Sequence, residues 1–184
     1  MDAHVPQCAQ MGRVAQDQMS QTGHKHLAVV ACRAMTADTL PQARTLLSVF
    51  LGEDESYLAA ADVYGDGGEE ALDRALHLFL TRPEVGFVWL AFAGERAVGA
   101  CVVCYAISTS RGTLVAKLDD VSVAAECRGK GVGTALLGSL AEELRRQGIT
   151  RIDTAVHEAN AEGRRFYSKL GFRSLHEERL SLLL

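Results

Sequence analysis

The sequence lacks the features that mark membrane-spanning, fibrous and strongly basic proteins. It has 3 prolines in 184 residues, 6% aromatic residues, and no apolar run near the roughly 18 to 20 residues that a spanning helix needs. Its 19 lysines and arginines are outnumbered by 23 aspartates and glutamates, which argues against nucleic-acid binding through bulk charge. What is present, 48% hydrophobic and 23% charged residues, suits one folded domain.

The N-terminal residues and the cysteines indicate the cellular compartment in which the protein is expected. Residues 1–26 lack a basic stretch followed by an apolar one, so they predict a polar, flexible leader and not a secretory signal. Cys101 and Cys104 are three apart in an apolar stretch typical of a strand, so their side chains are expected on opposite faces. No metal site is predicted, and a cytoplasmic location with reduced thiols is expected.

Changes in hydrophobic period divide residues 27–184 into a single α/β domain. They predict a mixed, mostly antiparallel sheet of about six to seven strands flanked by about four helices, with one strand–helix–strand crossover. The predicted strands are residues 27–33, 86–93, 97–107, 113–123, 149–157 and 172–184. One predicted helix is capped by Thr36, and the others cover about 69–81, the stretch after Gly133 to about 147, and 160–170.

The sharpest local signal is a glycine-rich loop at the start of a predicted helix, Arg128-Gly-Lys-Gly-Val-Gly133. Glycines let the backbone approach a ligand, and the first N–H groups of a helix converge there with the positive end of its dipole. Arg128 and Lys130 add full charges, which suits a phosphate or pyrophosphate. The spacing matches neither of the two common nucleotide-binding glycine loops. A purely structural role for the glycines is the alternative.

Two motifs resemble those of one enzyme family. The loop from Arg128 to Gly133 resembles the R-x-x-G-x-G pyrophosphate loop of the GNAT superfamily of acyl-CoA-dependent N-acyltransferases. It follows a strand, Leu118-Asp-Asp-Val-Ser-Val123, of the kind this family places before it. Downstream, the segment from Asn160 to Phe172 is similar to the family's N-x6-Y segment that ends in a Gly-Phe pair. The resemblance weakens over the first two helices, where these enzymes vary with their substrates.

The resemblance implies roles for the matching residues. Acetyl-CoA is the implied donor, its pyrophosphate held by loop amides and its pantetheine paired with the edge of the preceding strand. Asn160 matches a residue that contacts the pantetheine arm, and Tyr167 matches the tyrosine that protonates the departing thiolate. The implied donor-binding residues are Val121, Ser122, Val123, Arg128, Gly129, Lys130, Gly131, Val132, Gly133, Thr134 and Asn160.

The attacking amine needs a proton acceptor. An amine of reference pKa about 10.4 is almost fully protonated at neutral pH, and only its neutral form is a nucleophile. Asp119 and Asp120 are the candidates, and as neighbours on a strand they are expected to point to opposite faces, one catalytic and one structural. The alternatives are a salt-bridged or solvent-facing pair and proton transfer through water.

The predicted function is transfer of an acetyl group from acetyl-CoA to a primary amine of a small cationic molecule, aminoglycoside- or polyamine-like. The acidic stretch from Glu53 to Glu70 favours such an acceptor, although a solvated loop explains it equally. A non-catalytic acyl-CoA sensor domain and acetylation of a protein or amino-acid amine are the alternatives. No nucleic-acid or membrane partner is expected, and residues 180–184 are a candidate for pairing in a homodimer.

Overall fold

A five-stranded sheet in the order β1-β2-β3-β4-β5 forms the centre of the computed structural model, which describes residues 30–53, 67–177 and 179–183. The strands are β1 (Val30–Ala34), β2 (Gly86–Ala93), β3 (Arg96–Ser108), β4 (Thr113–Val123) and β5 (Ile152–Thr154). The helices within these residues are α1 (Leu40–Glu53), α2 (Gly68–Thr81), α3 (Val132–Arg146) and α4 (Ala161–Lys169), and a short 3-10 turn spans Ala125–Cys127. None of them is long and apolar enough to cross a membrane.

The pairing of the strands confirms the predicted fold class. β1 to β4 form consecutive antiparallel pairs, and β4 pairs with β5 in parallel. A parallel neighbour requires a crossover, which α3 supplies on its way from β4 to β5. The sheet is therefore mixed and mostly antiparallel, with helices on both faces.

The sheet separates two apolar cores. On one face α3 buries Leu136, Leu140 and Leu144 against the strands. On the other face α1 and α2 bury Leu47 and Leu76. Because successive side chains of a strand point to opposite faces, β2 and β3 supply residues to both cores.

Cys101 and Cys104 lie in different cores, as their spacing on a strand predicts. Cys101 is fully buried on the α3 face, and Cys104 packs against the core under α1 and α2. Burial raises the pKa of both thiols. The two sulfurs thus belong to two apolar environments and do not form a pair.

The predicted closing strand over 172–184 is wrong for the residues described there, 172–177 and 179–183, none of which is in a strand. Phe172 packs against the core under α3, but Leu175, Leu180 and Leu182 are exposed and cover no face of the sheet. The described residues therefore carry five strands and not the expected six to seven.

The predicted strand over 149–157 is longer than β5, which has 3 residues. Ile149 belongs to the end of α3: its N–H donates to the Leu144 carbonyl at 2.9 Å, and its side chain is buried in the core under that helix. After Thr154 the chain leaves the sheet and is exposed. The first predicted strand begins at Val30 in the structure, and residues 1–29, which include the predicted leader, lie outside the described residues.

Candidate functional site

The loop before α3 presents backbone N–H groups. Gly129 and Gly131 have φ values of +70° and +83°, in the left-handed region that residues with a Cβ rarely adopt. No side chain caps the helix at Gly131. The first hydrogen bond of the helix runs from the Ala135 N–H to the Gly131 carbonyl at 3.0 Å. The N–H groups at 132–134 therefore precede the helical ladder and point out of the helix start.

Gly133, the last glycine of the loop, has a packing role. A Cβ at this position would lie 3.2 Å from Cζ of Phe166, closer than ordinary van der Waals contact. The missing side chain thus lets α4 lie against the start of α3. This part of the motif is structural, whatever the backbone N–H of Gly133 binds.

Positive charge accompanies the loop. Arg128 donates from Nε to the Val123 carbonyl at 3.1 Å, which places its guanidinium beside the end of β4. Lys130 is exposed on the loop itself. An anion at the start of α3 would therefore meet backbone donors, the helix dipole and two cationic side chains together.

A bulge interrupts β4 at its two aspartates. Cys101 of β3 pairs with Val121, and Val103 pairs with Leu118, so β4 has one more residue than β3 in this interval. An extra residue in one strand bends it and changes the direction of the side chains that follow. In the sequence the bulge coincides with two successive polar residues between Leu118 and Val121, which break the alternation of the strand.

The bulge corrects the expectation that Asp119 and Asp120 point to opposite faces. Asp119 pairs with Lys117 at 3.4 Å, two positions earlier and on the same face. Two positions after Asp120, Ser122 donates to the Leu46 carbonyl of α1 at 3.2 Å. With a period of two on each side of the extra residue, both aspartates lie on the α1 face of the sheet.

The two aspartates have different neighbours. Asp119 lies 3.4 Å from Nζ of Lys117 and 3.9 Å from Nη1 of Arg179, so it takes part in an ion-pair network. Asp120 acts electrostatically on Tyr167, whose pKa is raised mainly by burial and further by this carboxylate. The salt-bridged alternative therefore holds for Asp119, while Asp120 is coupled to the predicted acid.

A gap opens between β4 and β5. The two strands pair only where Ala116–Leu118 meets Ile152–Thr154, and the chain leaves the sheet after Thr154. Among the described residues, no strand lies beside the β4 edge beyond Leu118. An unpaired edge of this kind can bind an extended ligand through its backbone N–H and C=O groups.

Tyr167 lies at this gap, close to the end of β5. Its ring packs edge-on against Phe166 and Phe172, each with a centroid distance of 5.3 Å, and contacts the core under α3. Burial raises the pKa of the phenol, and a hydrogen-bonding interaction with the Thr154 side chain lowers it. The phenol therefore keeps its proton at neutral pH, as an acid must before it acts. Sequence reasoning did not single out Thr154.

Asn160 has a definite structural role. It is the N-cap of α4, and its Oδ1 accepts a hydrogen bond from the Gly163 N–H at 2.7 Å. A Cβ at position 163 would lie 2.9 Å from that oxygen, so glycine makes room for the cap. Asparagine before a helix is itself a capping signal that the sequence contains. Contact between Asn160 and a pantetheine arm stays a prediction.

One residue of the predicted acidic rim, Glu69, is paired with an arginine. Arg44 of α1 donates to Asp73 at 2.6 Å and to Glu69 at 2.9 Å, both on α2. These hydrogen bonds from Arg44 lower the pKa of both carboxyl groups. The rest of the rim, residues 54–66, lies outside the described residues.

A family model described as "Acetyltransferase (GNAT) family" matches residues 52–172, which include the glycine loop, the bulge and Tyr167. The chain belongs to the GNAT acetyltransferase family. Acyl transfer is therefore the class of its reaction, and acetyl-CoA is the donor that this family uses in general.

Solved structures share this fold. An integron cassette protein, HFX_CASS3, from the mobile metagenome of Cole Harbour Salt Marsh is 25% identical with a TM-score of 0.67, covering 83% of this chain and 90% of that chain. A ribosomal-protein-alanine N-acetyltransferase from Brucella melitensis biovar Abortus 2308 is 14% identical with a TM-score of 0.66, covering 84% and 99% of the two chains. An aminoglycoside acetyltransferase, meta-AAC0020, from an uncultured soil metagenomic sample is 14% identical with a TM-score of 0.61, covering 84% and 94%.

Proposed function

We propose that this GNAT protein is an N-acetyltransferase that moves the acetyl group of acetyl-CoA to a primary amine of a small cationic molecule. The observation that carries the proposal is the position of Tyr167 beside the unpaired edge of β4, with the glycine loop at the far end of that edge. The proposed acid and the backbone proposed to bind the donor thus lie beside the same edge of β4. The amine attacks the thioester carbon directly, in a ternary complex.

The residues around the gap fit an acyl-CoA donor. The N–H groups at the start of α3, with Arg128 and Lys130 beside them, suit a pyrophosphate. The edge of β4 at 121–123 that faces away from β3 has no strand partner among the described residues, and it suits the amides of a pantetheine arm. The Val123 carbonyl already accepts from Arg128. Binding through backbone groups makes the site depend on the conformation of the loop more than on particular side chains.

Tyr167 is the proposed acid for the departing thiolate. A thiol has a reference pKa of about 8.5 and a phenol one of about 10, so a phenol that donates to the sulfur stabilises charge as it forms. Burial raises the pKa of Tyr167 further, which keeps the proton in place until the thiolate develops. No cysteine is needed as an acyl carrier in this scheme.

Asp120 is the proposed acceptor of the amine proton, either directly or through water. The choice of Asp120 rests on its electrostatic effect on Tyr167. Asp119, beside Lys117 and Arg179, is the other candidate. Both carboxylates lie on the α1 face, where their charge attracts a cationic amine. The aminoglycoside and ribosomal-protein enzymes that share the fold have different acceptors in their names, so the acceptor class has to be measured.

The test combines turnover with binding. Thiol release from acetyl-CoA is measured with a panel of aminoglycosides, polyamines, amino acids and a lysine peptide, and acetyl-CoA binding is measured by calorimetry. The proposal expects saturable acetyl-CoA binding and turnover with the cationic amines. Turnover with only the peptide or amino acids would show that the acceptor is a protein or amino-acid amine and not a small cationic molecule. Binding without any turnover would favour a sensor domain, and no binding would reject the donor site.

A further inference from the structure

Ser122 of β4 forms a buried hydrogen bond with α1. Its Oγ donates to the Leu46 carbonyl at 3.2 Å, and the residue is only 6% exposed. In a helix that carbonyl also accepts from the N–H of Phe50, and a carbonyl oxygen has two lone pairs. Ser122 thus adds a tertiary bond to a carbonyl that already belongs to the helical ladder. The bond serves the position of α1 on the sheet and not the formation of the helix.

The hydrogen bonds of α1 to the sheet show that this helix runs across the strands. Gln42 is one anchor, because its Oε1 accepts from the Ala97 N–H of β3 at 2.6 Å. Leu46, four residues later, is held by Ser122 of β4. Four helical residues advance about 6 Å and neighbouring strands lie about 4.8 Å apart, so the helix passes from β3 to β4 within this turn. Its last turn, residues 49–53, therefore continues past β4 on the side of the gap between β4 and β5.

The anchored point of α1 lies next to the aspartate bulge. Asp120 is two positions before Ser122 on the same face of β4, a distance of about 7 Å along a strand. Asp119 precedes it on that face. The end of α1 and the two carboxylates therefore border the same part of the gap. A cationic amine there would meet both carboxylates and the negative end of the helix dipole.

We propose that Ser122 is a positioning residue for the acceptor amine, and that its hydroxyl fixes the distance between the end of α1 and Asp120. The inference rests on the proposed function, because it takes the aspartates as the groups that meet the amine. The proposed donor site uses the backbone of 121–123, whereas this role belongs to the Ser122 side chain. One residue thus serves the two substrates through different atoms.

Three variants test this role by kinetics. Ser122→Ala removes the hydroxyl, Ser122→Thr keeps it, and Ser48→Ala removes another hydroxyl of α1, whose 3.0 Å bond goes to Glu69 of α2. We expect KM for the amine to rise about three- to tenfold in Ser122→Ala, the size of one lost hydrogen bond. The Kd of acetyl-CoA should stay within about twofold of the parent value, because donor binding uses backbone groups. Ser122→Thr and Ser48→Ala should keep the parental KM for the amine.

The choice between amines provides a second kinetic readout. A lower fraction of folded enzyme reduces kcat/KM equally for every acceptor, whereas a displaced α1 affects acceptors of different size unequally. We therefore expect the ratio of kcat/KM for a short diamine to that for an aminoglycoside to change at least about threefold in Ser122→Ala. The same ratio should not change in Ser48→Ala.

Hydrogen exchange provides a readout that needs no turnover. Exchange of the amides at 46–53 is followed by mass spectrometry in the parent and in the three variants. We expect faster exchange there in Ser122→Ala, because the end of α1 opens locally more often, and parental exchange in Ser122→Thr. Thermal melts check that each variant is folded. Ser122→Cys, which keeps the size of the side chain but donates more weakly, replaces Ser122→Ala if the alanine variant does not fold.

The outcomes separate the inference from the function on which it rests. Folded Ser122→Ala with the parental KM and amine ratio overturns the positioning role, whether or not exchange is faster, and leaves the proposed function intact. An equal rise of KM in Ser48→Ala would assign the effect to the stability of α1 and also overturn it. If the parent acetylates no amine, the proposed function fails. Faster exchange in Ser122→Ala would then still support the anchor, and unchanged exchange would overturn it.

Discussion

At Tyr167 a single oxygen atom distinguishes acid catalysis from packing. The ring contacts Phe166 and Phe172 through its edges and faces, and phenylalanine would keep those contacts. We expect Tyr167→Phe to lower kcat about 100-fold, because general acid catalysis is lost. The Kd of acetyl-CoA, measured by calorimetry, should change less than about twofold. Parallel losses in kcat and in binding would instead indicate a packing role.

The raised pKa of Tyr167 has a direct consequence for the pH profile. Burial favours the neutral phenol, so the protonated, active form persists above its ordinary pKa of about 10. We therefore expect no alkaline loss of kcat from this group below about pH 10. Measurement of kcat from pH 6 to 10.5 in the parent and in Tyr167→Phe checks this, and a Tyr167-dependent decline near neutrality would contradict it.

Sequence reasoning proposed Tyr167 and the aspartate pair as site residues, but it gave neither the orientation of the aspartates nor the hydrogen bond of Thr154. A motif marks positions along the chain, whereas the direction of Asp119 and Asp120 depends on how β4 is aligned with β3. The Thr154 hydroxyl donates to the carbonyl of Leu118, a residue 36 positions away that only the β4–β5 pairing brings close. Both features belong to strand alignment, which local patterns do not specify.

The element that binds the donor is the start of α3, and its conformation depends on glycine. Gly131 has a φ of +83° with no atom within 4 Å of a Cβ built on it, so a substitution there is opposed by backbone strain and not by crowding. We expect Gly131→Val to raise the Kd of acetyl-CoA about tenfold or more, because the loop N–H groups lose their arrangement. Calorimetry measures the change.

A matched control lies in the same helix. Gly138 also has open space around a Cβ, and it lies inside α3 without a positive φ. Gly138→Ala should therefore stabilise the protein by about 0.5–1 kcal/mol and leave acetyl-CoA binding unchanged. If both variants bind the donor as the parent does, the loop does not hold it.

The long helices and strands were predicted close to their observed bounds. The bounds of the shorter strands were predicted less well. The strands β2, β3 and β4 and the helix α3 appear within a few residues of their predicted bounds. The segment after Phe172 is apolar enough to suggest a strand, yet it has no sheet face to cover in the structure. Apolar content shows what a segment is able to bury, and the tertiary fold decides whether it does.

Across the whole molecule, Arg44 joins α1 to α2 and makes stability depend on pH. Its hydrogen bonds lower the pKa of Glu69 and Asp73 in the folded state. Such carboxylates contribute stability that is present above their unfolded pKa of about 4 and is lost as pH falls through the lowered folded value. We expect Arg44→Gln to melt at a lower temperature at pH 7 and to lose less stability between pH 5 and 3. Melting curves of the parent and of Arg44→Gln between pH 5 and 3 measure this difference. If both proteins lose the same stability on acidification, the proposed link between Arg44 and acid sensitivity is wrong.

The exposed leucines at 180 and 182 lead to a prediction about association in solution. Leu180 and Leu182 are each 83% exposed, and β5 has a strand partner on one side only within the described residues. Exposed apolar side chains and an open sheet edge each favour association between copies. We expect the parent to self-associate, and the double variant Leu180→Ser, Leu182→Ser to do so less. Sedimentation at several concentrations measures this, and a monomeric parent would exclude it.

The bulge in β4 divides the strand into two halves that are out of phase. Ala116 and Leu118 face the core under α3 before the bulge, and Val121 and Val123 do so after it. Deletion of either aspartate would remove the extra residue and leave Leu118 two positions from the first valine, so regular alternation would keep both valines on that core and Ser122 off it. The packing of β4 therefore does not require the bulge. A regular strand with the same apolar residues would carry one carboxylate at this point, and the bulge is what allows two in succession on the α1 face.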